Sequence, residues 1–171
     1  MLERFKPLPE DTIRVTSDSL RDAIEGIFLS MGNSSEDAAE GANTLIMTDL
    51  RGVETHGVSN MLRSYVDGYN SGKLNPTPDL KVISDAPSVA TIDGDQGLAV
   101  ITGPKVMRIA IEKARNTGIG SVALFNTGHS GGIGHHAMLA VEEDMIGLVM
   151  TAAGCQVLPT FAAEPRIGTN P

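Results

Sequence analysis

The sequence predicts an α/β fold: an N-terminal helical segment followed by alternating strands and helices. Three observations carry this expectation. Through residues 16–73, apolar side chains recur at helical spacing, with capping residues before each run. At residue 74 a proline-rich connection, "KLNPTPD", changes the texture. Beyond it, short runs rich in Val, Ile and Ala take turns with longer amphipathic stretches. The 171 residues therefore divide into an arm (1–15), a helical segment (16–73) and an α/β segment (74–171).

Each element has its own warrant. Pro7 and Pro9 keep the arm from forming a helix. Thr16 or Ser17 caps a first helix bearing Leu20, Ala23, Ile24, Ile27, Phe28 and Met31, and Gly32 stops it. Ser34-Ser35 caps a second, with Glu36 and Asp37 in the favourable first turn and Ala38, Ala42, Leu45 and Ile46 on one face. "RGVETHGVS" interrupts the pattern. Ser59 then caps a third helix with Met61, Leu62, Tyr65, Val66 and Tyr69 inward, ending at Gly72. "LKVIS" and "SVATIDG" read as two short strands, and Thr102 with Pro104 opens a helix over 102–117 that Gly118 ends. "GSVALF" is expected as a buried strand, 132–144 as a helix and "IGLVMT" as a second buried strand, an order that implies a parallel pair.

Composition excludes several functions. Apolar residues make up 41% and charged residues 20%, as in ordinary globular proteins, and the net charge of −8 disfavours nucleic acid and anionic membranes as partners. No apolar run spans a bilayer, and "MLERFKPLPED" has no signal-peptide core. The single cysteine, Cys155, rules out an internal disulfide and any CxxC zinc pattern, which fits a reducing, cytoplasmic setting.

The chemistry concentrates in "FNTGHSGGIGHHAM", residues 125–138. A metal site is one reading, but His129, His135 and His136 lack the HExxH pattern, and adjacent helical histidines point about 100° apart. His135 and His136 are therefore expected on a partly solvated helix face, with no metal. A phosphate cradle is a second reading, because Gly131, Gly132 and Gly134 precede a helix whose free N–H groups attract anions. The spacing GGIG is nevertheless not the GxGxxG of a dinucleotide fingerprint. The third reading centres on His129. It follows the C-terminal end of a strand, where open α/β sheets place ligands, and imidazole exchanges protons near neutral pH. His56, in "RGVETHGV", is a second histidine flanked by Arg51 and Arg63, whose guanidinium groups suit a carboxylate. The plain alternative there is a polar interhelical turn.

Taken in order, "DLRGVETHGVSNMLRSYVDGYNSGKLNP", "ATIDGDQGL", "FNTGHSGGIGHHAM", "DMIGLVMTAAG" and "RIGTNP" resemble the type 2 malate/L-lactate dehydrogenase family, from about residue 16 to the last. That family also includes ureidoglycolate, sulfolactate and cyclic-imino-acid oxidoreductases. The resemblance implies a non-Rossmann, NAD- or NADP-dependent dehydrogenase fold acting on a small 2-hydroxy or 2-oxo acid, typically as a homodimer. His129 takes the position of the proton acceptor and donor, with His56 near substrate and cofactor. Gly131, the end of the "VMTAAG" run at Ala153, and Thr169 and Asn170 of "GTNP" are implied beside the nucleotide.

The pattern departs from the family at three places. Asn60 stands where an arginine often holds the substrate carboxylate; Arg63 is the substitute, and Asn60 and Arg51 remain candidates beside it for binding the substrate. "GHSGG" replaces "SHFG" and removes an aromatic wall, and "TAAG" replaces "TNS", so that Ala153 offers backbone contacts alone. Family members are about twice this length, so the chain is expected to be a truncated N-terminal half with little activity of its own. The alternative reading is a non-catalytic binding or assembly protein that keeps the fold without the second half of the cofactor site.

Overall fold

In the computed structural model, residues 13–171 are described; the first twelve residues of the expected arm lie outside them. Helix α1 (Ser17–Ser30) starts where Thr16 Oγ1 accepts the Ser19 N–H at 3.2 Å, and α2 (Ser35–Leu50) where Ser34 Oγ accepts that of Asp37 at 3.1 Å. A single 3-10 turn (Glu54–His56) leads into α3 (Val58–Asn70). Strands β1 (Lys81–Asp85) and β2 (Val89–Asp93), helix α4 (Ala99–Thr117), strand β3 (Ser121–Phe125) and helix α5 (Gly134–Val141) follow. The sheet order is β1-β2-β3. The β1–β2 pair is antiparallel, and the β2–β3 pair is parallel, with Val89 opposite Ser121 and Asp93 opposite Phe125.

The core lies where α1, α2 and α3 meet the start of α4. Ile24, Phe28, Leu45, Ile46, Tyr65, Leu98, Val100 and Ile101 are buried together, each large apolar side chain contributing about 1.5–3 kcal/mol. The buried threonines of α2 are paired, Thr48 donating to the Thr44 carbonyl at 2.7 Å. Pro104 inside α4 cannot donate to the carbonyl of Val100, four residues earlier. The buried Thr44 hydroxyl of α2 donates to that carbonyl instead, at 2.8 Å. The helix thus keeps its proline without an orphaned acceptor and gains a tie to α2.

Several sequence expectations change. Helix α3 begins at Val58, without Ser59 as its cap, because the Asp49 carboxylate of α2 accepts the Val58 N–H at 3.0 Å. Helix α4 begins three residues earlier than expected, at Ala99, and α5 occupies only 134–141. Strand β3 is not fully buried, since its residues alternate between half-buried and exposed. "IGLVMT" forms no strand among the described residues. Ile146, Leu148 and Met150 are 100%, 74% and 77% exposed, and this extended run is separated from β3 by a cleft in place of ladder hydrogen bonds. The parallel pair is therefore β2–β3, with α4 as its crossover.

Candidate active site

The loop after β3 is anchored before it reaches its histidine. The Asn126 amide donates to Asp93 Oδ1 at 2.7 Å, Thr127 Oγ1 donates to the Gly97 carbonyl at 2.6 Å, and the Gly128 N–H donates to the same carbonyl at 2.8 Å. The Asp93 carboxyl is held below the usual range by the Asp95 N–H and the Asn126 amide. With both ends of the β2 and β3 strands tied, His129 leaves the sheet at a fixed point.

His129 meets residues from two other elements. Its Nδ1 lies 2.8 Å from the hydroxyl of the buried Tyr65 on α3, and the Gly131 N–H donates to the same nitrogen at 3.3 Å. Gly131 has φ +63°, and a Cβ there would come within 2.7 Å of Val100 Cγ1. Only glycine fits that backbone against α4. The His56 ring stacks over His129 with centroids 5.5 Å apart and planes 18° from parallel. The 3-10 turn positions His56, whose Nδ1 lies 2.8 Å from Thr55 Oγ1, while the Asn60 amide holds the Glu54 carbonyl at 2.7 Å. Burial, and then the charge of His56, push His129 below the ordinary imidazole range.

A cleft of about 1500 Å³ opens beside this pair, between α4, β3, α5 and residues 144–153. Gly131, Ala153 and Thr169 stand on its wall with both histidines. Asn170 acts on that wall from behind, since its Oδ1 accepts the Ala153 N–H at 2.9 Å and so fastens the 168–171 segment to the 151–153 segment. The structure thus brings together His56, His129, Gly131, Ala153, Thr169 and Asn170. It does not bring Arg63 to them. Two residues along a helix turn the side chain about 160° away from Tyr65, and Arg63 is exposed. Arg51 is exposed at the end of α2, and Asn60 is occupied by the Glu54 carbonyl.

His135 and His136 are not on a solvated face. They are 6% and 3% exposed, because α5 packs against both α4 and α2, and Gly103 of α4 leaves room for the His136 ring. His136 Nε2 donates to the Ser130 carbonyl at 2.9 Å, and burial pushes its pKa down to about 4. Burial lowers His135 likewise. No group of three or more His, Cys, Asp or Glu side chains gathers around a metal-sized space among the described residues, and none of their helices is long and apolar enough to cross a membrane.

Two site residues escaped sequence reasoning. Tyr65 lies in the apolar stripe of α3, where the pattern predicts only a core side chain. Asp144 ends the acidic run "EED" and reads as solvated surface, yet it lines the cleft. A tyrosine two turns after "THG" was the available signal for the first. The second had none.

Fold and sequence together define the class. The sequence model of the malate/L-lactate dehydrogenase family matches residues 15–171, and the chain belongs to that family. It is 46% identical to a malate dehydrogenase of Pyrococcus abyssi over 162 residues, covering 95% of this chain and 44% of the relative. An L-sulfolactate dehydrogenase of Methanocaldococcus jannaschii is 37% identical over 145 residues, covering 85% of this chain and 42% of the relative. The solved malate dehydrogenase of Pyrococcus horikoshii superposes with a TM-score of 0.89 at 46% identity, over 93% of this chain and 45% of that one. The chain thus spans less than half the length of the relatives it matches.

Proposed function

We propose that the protein works as an NAD- or NADP-dependent dehydrogenase of a small 2-hydroxy acid, with His129 exchanging the hydroxyl proton. One observation carries this reading: two imidazoles from separate elements meet at the mouth of a large cleft, in a chain of a dehydrogenase family. The overall change converts a 2-hydroxy acid and oxidised cofactor into a 2-oxo acid, reduced cofactor and a proton. A bound nicotinamide supplies the acceptor for the hydride that leaves C2.

The chain's own residues do the rest. The cleft exceeds the 300–1000 Å³ usual for small-molecule pockets, so its size suits a dinucleotide. Its wall offers the backbone of Gly131 and Ala153 and the Thr169 side chain, with Asn170 holding Ala153 in place and Asp144 available to a ribose hydroxyl. His129 takes the hydroxyl proton in oxidation and returns one in reduction, its lowered pKa keeping it neutral and ready to accept near pH 7. His56 stacks on one face of the His129 ring and lines the same cleft beside it. Arg51, Asn60 and Arg63 are the nearby groups suited to a carboxylate, each requiring movement from its present position. The proposed oligomer is a homodimer, which sedimentation of the intact protein tests.

A dehydrogenase assay of the intact protein against malate, lactate, ureidoglycolate and sulfolactate, with each cofactor, tests the reading. Turnover of one of these acids with cofactor reduction is expected. Absence of turnover with all four acids and both cofactors would overturn it.

A further inference from the structure

We infer that His136 is a positioning residue for His129: from α5 it ties down the carbonyl of Ser130, the residue that follows His129, and Gly103 of α4 is the notch that seats its ring. This rests on His129 being the proton-exchanging residue.

His129 is exposed, so the backbone on either side does much to set where its ring stands. Before it, the Gly128 N–H donates to the Gly97 carbonyl at 2.8 Å. After it, the Ser130 carbonyl accepts from His136 Nε2 at 2.9 Å. The two ties lie one residue to each side of His129 and come from different elements, the turn before α4 and the start of α5. A carbonyl only accepts, so the neutral His136 ring must carry its proton on Nε2. That ring is 3% exposed, which leaves water little access to the bond. The Ser130 carbonyl and the Gly131 N–H belong to one planar peptide, so holding the first also holds the second.

The seat is shaped for this ring. Gly103 lies inside α4, where glycine is a poor helix former. A Cβ there would come within 2.9 Å of His136 Nε2 and 3.1 Å of Cε1, pressing on the edge that makes the bond. His136 Nδ1 is buried without a partner among the described residues. A leucine would fill similar space and leave no buried nitrogen unpaired, which makes imidazole the costlier occupant. What the imidazole adds is its one hydrogen bond, the hold on Ser130.

Amide hydrogen exchange and kinetics of the intact protein test this together. His136→Leu removes the donor and keeps an apolar side chain in place, whereas His136→Gln keeps an N–H as many bonds from Cα as Nε2. In His136→Leu the Gly131 amide should exchange faster, while the Gly128 amide, tied to Gly97, stays protected. Its kcat should fall roughly 10-fold or more, up to the about 10²-fold that a misplacement of about 1 Å can cost, with KM little changed. His136→Gln should recover most of both. Gly103→Ala keeps His136 in the chain but displaces its ring, and should reproduce the faster Gly131 exchange. Unchanged Gly131 exchange in His136→Leu, or in Gly103→Ala should the first not fold, overturns the inference. So does a wild-type kcat in His136→Leu, or a Gln variant as impaired as the Leu one. Absence of turnover in the wild type would overturn the proposed function, and the positioning role with it, while Gly131 exchange would still show whether the tie itself exists.

Discussion

The rings of His56 and His129, brought from a turn between two helices and from the end of a strand, lie 5.5 Å apart and nearly parallel. At that distance the protonation of one imidazole disfavours the protonation of the other. His129 is held low by burial first and by this neighbour second.

Replacing His56 by Gln should therefore raise the His129 pKa. In the oxidation direction the neutral ring is the active form, so kcat/KM rises with pH through that pKa. The rising limb of the profile should move to higher pH in the variant. A limb that stays put, or moves lower, would show that the two rings do not interact.

The buried His136 makes stability depend on pH in a defined window. Its pKa is about 4 in the folded chain, against 6.5 in the unfolded one. The unfolded state binds more protons between those values, so stability is full above about pH 6.5 and is lost as pH falls towards 4. A 2.5-unit difference corresponds to about 3 kcal/mol at the acid end. His135 and Glu40 face the same ring and act on it in opposite directions. Denaturant unfolding of wild type and His136→Gln, whose amide keeps a donor for Ser130, should diverge in slope over this window. Parallel curves would contradict the assignment.

The Asp49 carboxylate is a cap supplied from a neighbouring helix, and its replacement by Ala should cost about 1 kcal/mol of stability. Asp49→Asn retains an acceptor and should cost much less. Gly57→Ala should be at least as harmful as Asp49→Ala, because the added Cβ collides with that carboxylate and displaces it from Val58. Thermal or urea unfolding measures all three. An Ala at 57 without effect would show that the close approach is not required.

Much of this was legible from local pattern. The caps at Thr16 and Ser34, the stops at Gly32, Gly72 and Gly118, and strands β1 and β2 all depend on residues adjacent in sequence, and they lie where the pattern places them. Failures came where a distant partner decides. Nothing near Val58 announces that Asp49 will cap it, and nothing near Pro104 announces that Thr44 will take the freed Val100 carbonyl. Adjacent histidines on a short helix read as solvated until α2 and α4 are known to pack against that helix. The "IGLVMT" run has a strand's composition, but a strand needs a neighbour, and β3 lies across the cleft from it. For the site, His56 and His129 were legible as residue types in unusual loops. Their stacking, and the buried Tyr65 beneath, belong to the tertiary fold alone.

The central claim is that His129 exchanges the substrate proton, and kcat of His129→Ala in the intact enzyme tests it most directly. A positioned acid–base is worth about 10²–10⁴-fold, so kcat should fall by that factor, and a thermal melt checks that the variant is folded, since the ring also meets the Gly131 N–H and the Tyr65 hydroxyl. A variant that folds and turns over at the wild-type rate would contradict the account.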